Sequence, residues 1–467
     1  MAAISWSEDV MSKNPITKSL RSLAADLAER RITAQELLAQ AQAAHDPALN
    51  AYIHWAPDFA RRQAEAADAA FAAGVVAGPL QGIPTSVKDI YGVEGLPVFA
   101  GSPRELPKSW QREGPVVQRL RKQLPVILGK THTVEFAFGG LGANGHWPVP
   151  WNPRDRKTHR APGGSSSGAG VSLVEGTALL AFGTDTAGSV RIPASFTGTV
   201  GLKTTWGRWS ADGIVPLSFS LDTAGILTRS VADAAFAFTA LDGATVSHLD
   251  SLAGCRVGVG KSFFFDDLGS GVGEAVDAAL KVVGKAGAQL SDLALPGAKE
   301  VYGIYFRGGI VSPELYQFLK SQLPDWLETL DPKVKRRVDF ARDLSAWEYI
   351  DRKTAYAAFA RQADEALKAV DVLVGPTTPI TAPAVQDFAD DDSYGKLNMQ
   401  ALKNTAVVSF LGLCALSLPI GHDAAGMPIG LQLVARAMEE PKLLAVAAAF
   451  ERVFAQAGLW TPPASLD

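Results

Sequence analysis

Apolar residues first recur along the chain at helical spacing, then at strand spacing. Leu20, Leu23 and Leu27 fall on one helical face. Thr33 followed by Glu36 fits a capping box that opens a second helix, AQELLAQAQAA. A third helix is predicted over 56–74, APDFARRQAEAADAAFAAG. At residue 82 the period changes. GIPTSVKDI alternates Ile83, Thr85 and Val87 and reads as a strand after a turn. LPVILGK (124–130) is a short apolar run of the kind found in strands covered on both faces. Further strands are predicted at 255–260, 371–375, 414–421 and 429–436, and TALLAFGTD (177–185) fits helix or strand equally. Helical stretches at 273–287, 355–370 and 441–458 are interleaved with them. This alternation implies an α/β fold with helices on both faces of a sheet. No repeat or linker divides the chain. A single domain over 1–467 is expected, with a helical N-terminal layer over about 1–75. A region over about 260–370, richer in aromatics and charge, is read as a variable wall on the main body.

Composition narrows the function classes. With 467 residues, 47% hydrophobic and 20% charged, the chain is ordinary globular protein, and its net charge of −4 offers no nucleic-acid or anionic-membrane surface. Cys255 and Cys414 stand far apart, so no disulfide framework is expected, and the histidines form no metal-ligand spacing. No metal or other cofactor is expected. The N-terminus lacks a basic region followed by an apolar core, and no apolar run is long enough to span a bilayer. A cytoplasmic protein is therefore expected, without membrane or nucleic-acid partners, as a monomer or homodimer.

The candidate chemistry lies in RAPGGSSSGAG (160–170). A plain Gly/Ser loop is one reading. A phosphate-binding loop is excluded, because Ala169 and Gly170 stand where Lys and Ser/Thr are required. A nucleophile elbow is met literally by Gly164-Ser165-Ser166-Ser167-Gly168, with His422 downstream as base. That reading gives an α/β-hydrolase-type esterase, but the preceding RDRKTHRAP is polar and not a strand. A fourth reading joins the serines to Lys88 and Ser189. A lysine on an apolar strand is costly unless paired or neutral. A serine after the small-residue turn of GTDTAGSVR can present its hydroxyl while backbone N–H groups converge on one spot. Serines and a lysine can perform nucleophilic catalysis without histidine.

These residues resemble the amidase signature family. The resemblance rests on 163–208, GGSSSGAGVSLVEGTALLAFGTDTAGSVRIPASFTGTVGLKTTWGR, and on GPLQGIPTSVKDIYGVEG (78–95). GKTHTVEFAFGG, WNP, DVLVGPTTP and FLGLCALSLPIG…GMPIGLQLVA extend it over about 20–455, most weakly over 260–365. It implies a large mixed twisted β-sheet core covered by helices on both faces. It further implies Ser189 as nucleophile, Ser165 as relay serine after a cis Gly164–Ser165 bond, and Lys88 as base. The N–H groups of Thr186, Ala187, Gly188 and Ser189 would form the oxyanion hole. Asp185 and Arg191 are expected to pair with each other or with nearby backbone, supporting the turn. Three positions depart from the family: Ala187 and Ser167 replace usual glycines, and Thr204 replaces a proline.

The implied activity is hydrolysis of small aliphatic or aryl amides through an acyl-enzyme, with carbamates and esters open to the same nucleophile. Lys88 must then be uncharged near neutral pH, which burial can achieve. Tyr91, Phe99, Phe138, Gly139, Gly140, Trp147, Tyr302, Tyr305 and Phe306 are candidate substrate walls. The glutamine-hydrolysing component of an aminoacyl-tRNA amidotransferase is the alternative within the family. It needs an acidic residue where an ungapped alignment places Leu402.

Overall fold

The computed structural model describes residues 17–460. Its strands are β1 (Tyr52–Trp55), β2 (Pro84–Lys88), β3 (Val126–Thr131), β4 (Leu180–Thr184), β5 (Val200–Lys203), β6 (Ala224–Thr228), β7 (Arg256–Val259), β8 (Gln289–Asp292), β9 (Val372–Pro376), β10 (Cys414–His422) and β11 (Pro428–Ala435). They form one 11-stranded sheet in the order β1-β3-β2-β4-β6-β5-β10-β11-β9-β7-β8. The sheet is mixed. β2 runs parallel to β3 and β4, and β7 runs parallel to β8 and β9. The strands between these groups pair antiparallel. Every residue of β2, β3, β4 and β9 is buried; β4 and β9 are apolar runs, whereas β2 and β3 bury Lys88 and Lys130 among their residues.

The helices that cover the sheet are α1 (Leu20–Ala28), α2 (Ala34–Ala44), α3 (Pro57–Ala72), α4 (Pro115–Arg121), α5 (Ser167–Glu175), α6 (Arg191–Thr197), α7 (Val231–Asp242) and α8 (Val272–Lys285). They continue with α9 (Ala298–Phe306), α10 (Val311–Gln322), α11 (Pro332–Asp339), α12 (Ala346–Ala366), α13 (Asp391–Phe410) and α14 (Glu440–Gln456). α2 opens with the expected Thr33–Glu36 capping box.

The ambiguous segment 177–185 contains strand β4, because Leu180, Ala181 and Phe182 are buried between β2 and β6. β1, β5, β6 and β8 are not legible as strands from their sequences. β8 (QLSD) is an edge strand with all four residues exposed, so it carries no apolar alternation. The expected helical N-terminal layer is interrupted by β1, which pairs antiparallel with β3; residues 1–16 of that layer lie outside the described residues. The region 260–370 is also divided. α8 and β8 belong to the sheet and its cover, while α9–α12 add no strand to the sheet. Among the described residues no helix is long and apolar enough to cross a membrane.

Candidate active site

β2 carries Lys88 at its end, at the centre of the β3–β2–β4 group, with no solvent exposure. Its Nζ donates to Ser165 Oγ and to Thr184 Oγ1, each at 2.8 Å. Burial pushes the amine down to about 7, against the pull of Asp222 and Asp185, which favour its charged form. The neighbouring buried Lys130 on β3 is held differently, with its Nζ 3.3 Å from an Asp89 carboxylate oxygen. Lys88 thus has hydroxyl partners where Lys130 has a carboxylate.

The serine stretch is no linker, because it leads into α5, which packs into the core. The Gly164–Ser165 bond is cis. Gly164 N–H donates to Gly140 O at 2.7 Å, and Val134 N–H donates to Ser165 O at 3.2 Å. Glycine is required at 168, where an added Cβ would lie 1.9 Å from Ala51 O. Ser166 and Ser167 are spent locally: Ser166 Oγ donates to Thr184 O at 3.4 Å and Ser167 Oγ to Ser165 O at 3.2 Å.

Ser189 lies between β4 and α6. Its carbonyl accepts from Ser166 N–H at 3.3 Å, which ties the two serine segments together. The first N–H groups of α6 are taken by Asp185 rather than by a serine cap, with Val190 N at 3.2 Å and Arg191 N at 3.4 Å from Oδ2. Asp185 and Arg191 also pair side chain to side chain at 3.0 and 2.9 Å, both fully buried. Arg191 further donates to Gln432 Oε1 at 2.8 Å, Thr405 O at 2.9 Å and Ser409 Oγ at 2.7 Å. Burial opposes ionisation of Asp185, but the adjacent guanidinium prevails and holds the carboxyl below its usual value.

The turn itself is clamped from two sides. Thr405 Oγ1 donates to Ala187 O at 2.7 Å, and Thr186 Oγ1 donates to Asp222 Oδ1 at 2.6 Å. Among the described residues, the N–H groups of Thr186, Ala187, Gly188 and Ser189 donate to no protein acceptor. Gly188 has φ +135°, and an added Cβ would lie 2.1 Å from Thr405 Oγ1. Ala187 has no positive φ, so a Cβ is tolerated there. An amine whose charged form burial disfavours, two serines and a row of unused N–H groups can together carry out acyl transfer without imidazole.

A cavity of about 760 Å³ gathers Phe138, Tyr302, Tyr305, Phe306, Tyr394 and Arg337 among its walls. Gly140 N–H donates to Asn398 Oδ1, also a cavity residue, at 2.7 Å. An added Cβ on Gly139 would lie 2.6 Å from the Tyr394 hydroxyl. Three expected aromatic walls, Tyr91, Phe99 and Trp147, fall outside this cavity. Tyr91 is fully buried, with its hydroxyl donating to Gly183 O at 2.7 Å. Trp147 donates to Ser102 O at 3.0 Å and meets the Phe99 ring edge-on. Tyr91 thus faces protein, and half-buried Trp147 and Phe99 pack on each other apart from the residues that line the cavity.

The nucleophile-elbow reading is corrected as well. Exposed His422 ends β10 against the Trp460 ring, whereas the buried Ser166 hydroxyl bonds the backbone of β4. Leu402 is buried on α13, with its side chain 2.9 Å from where a Gly140 Cβ would be. Sequence reasoning missed Thr184, Asp222, Thr405 and Arg337. Arg337 sits in KVKRRVD, which reads as a solvated basic face, and the others carry no local signal.

The family model for Amidase matches residues 33–444, and the chain belongs to this family, the amidase signature hydrolases acting on C–N bonds. It is 49% identical over 445 residues to a 2-amino-5-chloromuconic acid deaminase of Comamonas testosteroni, covering 94% of this chain and 96% of that protein. It is 34% identical over 489 residues to the A component of the glutamyl-tRNA(Gln) amidotransferase of Burkholderia pseudomallei (strain 668), covering 93% and 97%. Among solved structures, a crystal structure of an amidase superposes with a TM-score of 0.84 at 31% identity, covering 95% of this chain and 100% of the other. A substrate complex of 6-aminohexanoate cyclic dimer hydrolase superposes with a TM-score of 0.80 at 26% identity, covering 94% and 98%.

Proposed function

We propose that the chain hydrolyses a C–N bond of a small carboxylic acid through an acyl-enzyme, with Ser189 as nucleophile, Ser165 as relay and Lys88 as base. The observation that carries this reading is Lys88 itself: fully buried, bonded to Ser165 and Thr184 hydroxyls, and lowered to about 7. Neutral Lys88 accepts the Ser165 proton as Ser165 accepts that of Ser189. Ser189 Oγ bonds to the substrate carbonyl carbon, and the new oxyanion takes N–H bonds from the 186–189 turn. The proton returns through Ser165 to the nitrogen, the C–N bond breaks, and ammonia or an amine leaves. Water, deprotonated by the same relay, then cleaves the acyl ester and frees Ser189.

The substrate class follows from Arg337. Its guanidinium lies 3.6 Å from the Phe138 ring centroid and donates to Phe138 O and Tyr305 Oη, each at 3.0 Å. No carboxylate pairs with it among the described residues, although it lines the cavity. A guanidinium held over an aromatic ring suits a carboxylate on a flat, unsaturated carbon frame. The 2-amino-5-chloromuconic acid named for the relative at 49% identity has such a frame, but its nitrogen is on C2 and not on a carbonyl carbon. Its ammonia would leave after Ser189 Oγ adds to C2 of the imine tautomer, and water then displaces Ser189 to leave a keto group, with no acyl-enzyme. Leu402 offers no acceptor for an ammonium group, which weighs against the glutamine reading.

The test is a product-release panel of aminomuconic acids, aliphatic amides, anilides, aryl carbamates, esters and glutamine. Acidic unsaturated substrates are expected to release ammonia or an amine, with Ser189→Ala and Lys88→Met inactive. Arg337→Gln is expected to raise KM for acidic substrates and leave neutral ones unchanged. Activity surviving Ser189→Ala would overturn the assignment of the nucleophile.

A further inference from the structure

Among the described residues, Asp222 is a buried carboxylate without a cationic hydrogen-bond partner, one hydrogen bond away from the 186–189 turn. Its Oδ1 accepts from Thr186 Oγ1 at 2.6 Å, and its Oδ2 accepts from Leu217 N at 2.9 Å and Ser218 N at 3.0 Å. The backbone beside it extends the β4–β6 ladder into the site. Asp185 N donates to Thr223 O at 2.8 Å, and Thr223 Oγ1 donates to Asp185 O at 2.7 Å. The far side of this segment is gripped by the wall. Glu314 on α10 accepts from Ser218 Oγ at 2.6 Å and Ser220 N at 3.1 Å, and its other oxygen accepts from Tyr349 Oη at 2.7 Å. α10 also lends Ser312 to the 760 Å³ cavity. A continuous hydrogen-bonded chain therefore runs Tyr349–Glu314–Ser218–Asp222–Thr186, from α12 and α10 to the turn that carries Ser189.

We propose that Asp222 is a positioning residue, which fixes the 186–189 turn through the Thr186 hydroxyl and supplies negative charge that steadies the Lys88 ammonium formed during the reaction. This inference rests on the assignment of Lys88 and Ser189 above. The charged groups around Lys88 are Asp222 and Asp185, both favouring its ammonium form. Asp185 is already committed to Arg191 and is also influenced by Lys203, while Asp89, the next residue along from Lys88, is paired with Lys130. Asp222 has no such cation and faces Glu314 as its charged neighbour; burial raises its own pKa to about 6. Its charge is thus not cancelled by an arginine or lysine among the described residues and favours the Lys88 ammonium.

The experiment is the pH profile of kcat/KM for Asp222→Asn beside the wild-type enzyme, with Ser189→Ala as control. Removing the negative charge makes Lys88 easier to deprotonate, so the acidic limb is expected to move to lower pH. kcat is expected to fall about 10- to 100-fold with KM little changed, less than the roughly 10²–10³ lost with a whole oxyanion donor. A limb that stays in place while Ser189→Ala is inactive overturns the charge role of Asp222 alone. Activity surviving in Ser189→Ala overturns both assignments. Should Asp222→Asn fail to fold, Thr186→Val against Thr186→Ser carries the test. The valine variant is expected to lose kcat and the serine variant, keeping the hydroxyl, to recover most of it; equal rates would overturn the positioning role.

Discussion

Replacing Lys88 by methionine should make the protein more stable, and the gain should depend on pH. The buried amine falls from a usual 10.5 to about 7. At about 1.4 kcal/mol per pH unit, that shift corresponds to about 5 kcal/mol of folding free energy. The sign follows from proton counts. Below about pH 7 the folded and unfolded chains both hold the Lys88 proton, so stability has no slope from this group. Between about 7 and 10.5 the unfolded chain holds one proton more, so wild-type stability climbs with pH. Methionine has no such term. The stability difference between variant and wild type should therefore be greatest below about pH 7. It should shrink by about 3 kcal/mol by about pH 9.5. The Ser165 and Thr184 hydroxyls lose a partner in the variant, at about 1 kcal/mol each, but this offset does not vary with pH. Urea titrations of both proteins across that range give the difference directly, and titrations common to both cancel. A difference independent of pH would refute a neutral Lys88 in the folded state and remove the base from the proposed mechanism.

Three further outcomes are expected. Arg191→Met strands buried Asp185 and removes donors to Gln432, Ser409 and Thr405 O, so unfolding free energy should drop by about 3–5 kcal/mol in a urea melt. Gly188→Ala places a Cβ 2.1 Å from Thr405 Oγ1 at φ +135°, and should lose at least about 10²-fold in kcat as the turn's N–H groups are displaced. His422→Ala should keep kcat/KM within about twofold, since the ring packs on Trp460; a loss of about 10²-fold would restore an imidazole mechanism.

Several features are readable in the amino-acid order because they are local. The glycines of GGSSSGAG and TAGS mark places where a Cβ would strike backbone or a packed side chain, so residue type alone flags a constrained segment. The capping box of α2 is likewise a contact between residues three apart. Short strands such as VGLK and AGILT are not readable, because four or five residues do not establish a period. The misplaced wall residues fail for a related reason. Tyr91 follows a strand in the candidate motif, but its burial depends on Phe182 and Gly183 of β4, nearly a hundred residues away.

By itself, the sequence determined the α/β class, the serine and lysine motifs and the absence of a metal-ligand spacing, all properties of residue type and short-range period. Tertiary structure alone decided that Lys88 meets Thr184, that Asp185 meets Arg191 beside Thr405 and Ser409, and that Arg337 faces a cavity. The physical reason is that a side chain's protonation depends on the water and charge around it. Those surroundings come from segments as far as 241 residues apart, as between Arg191 and Gln432, and exist only once the sheet has formed.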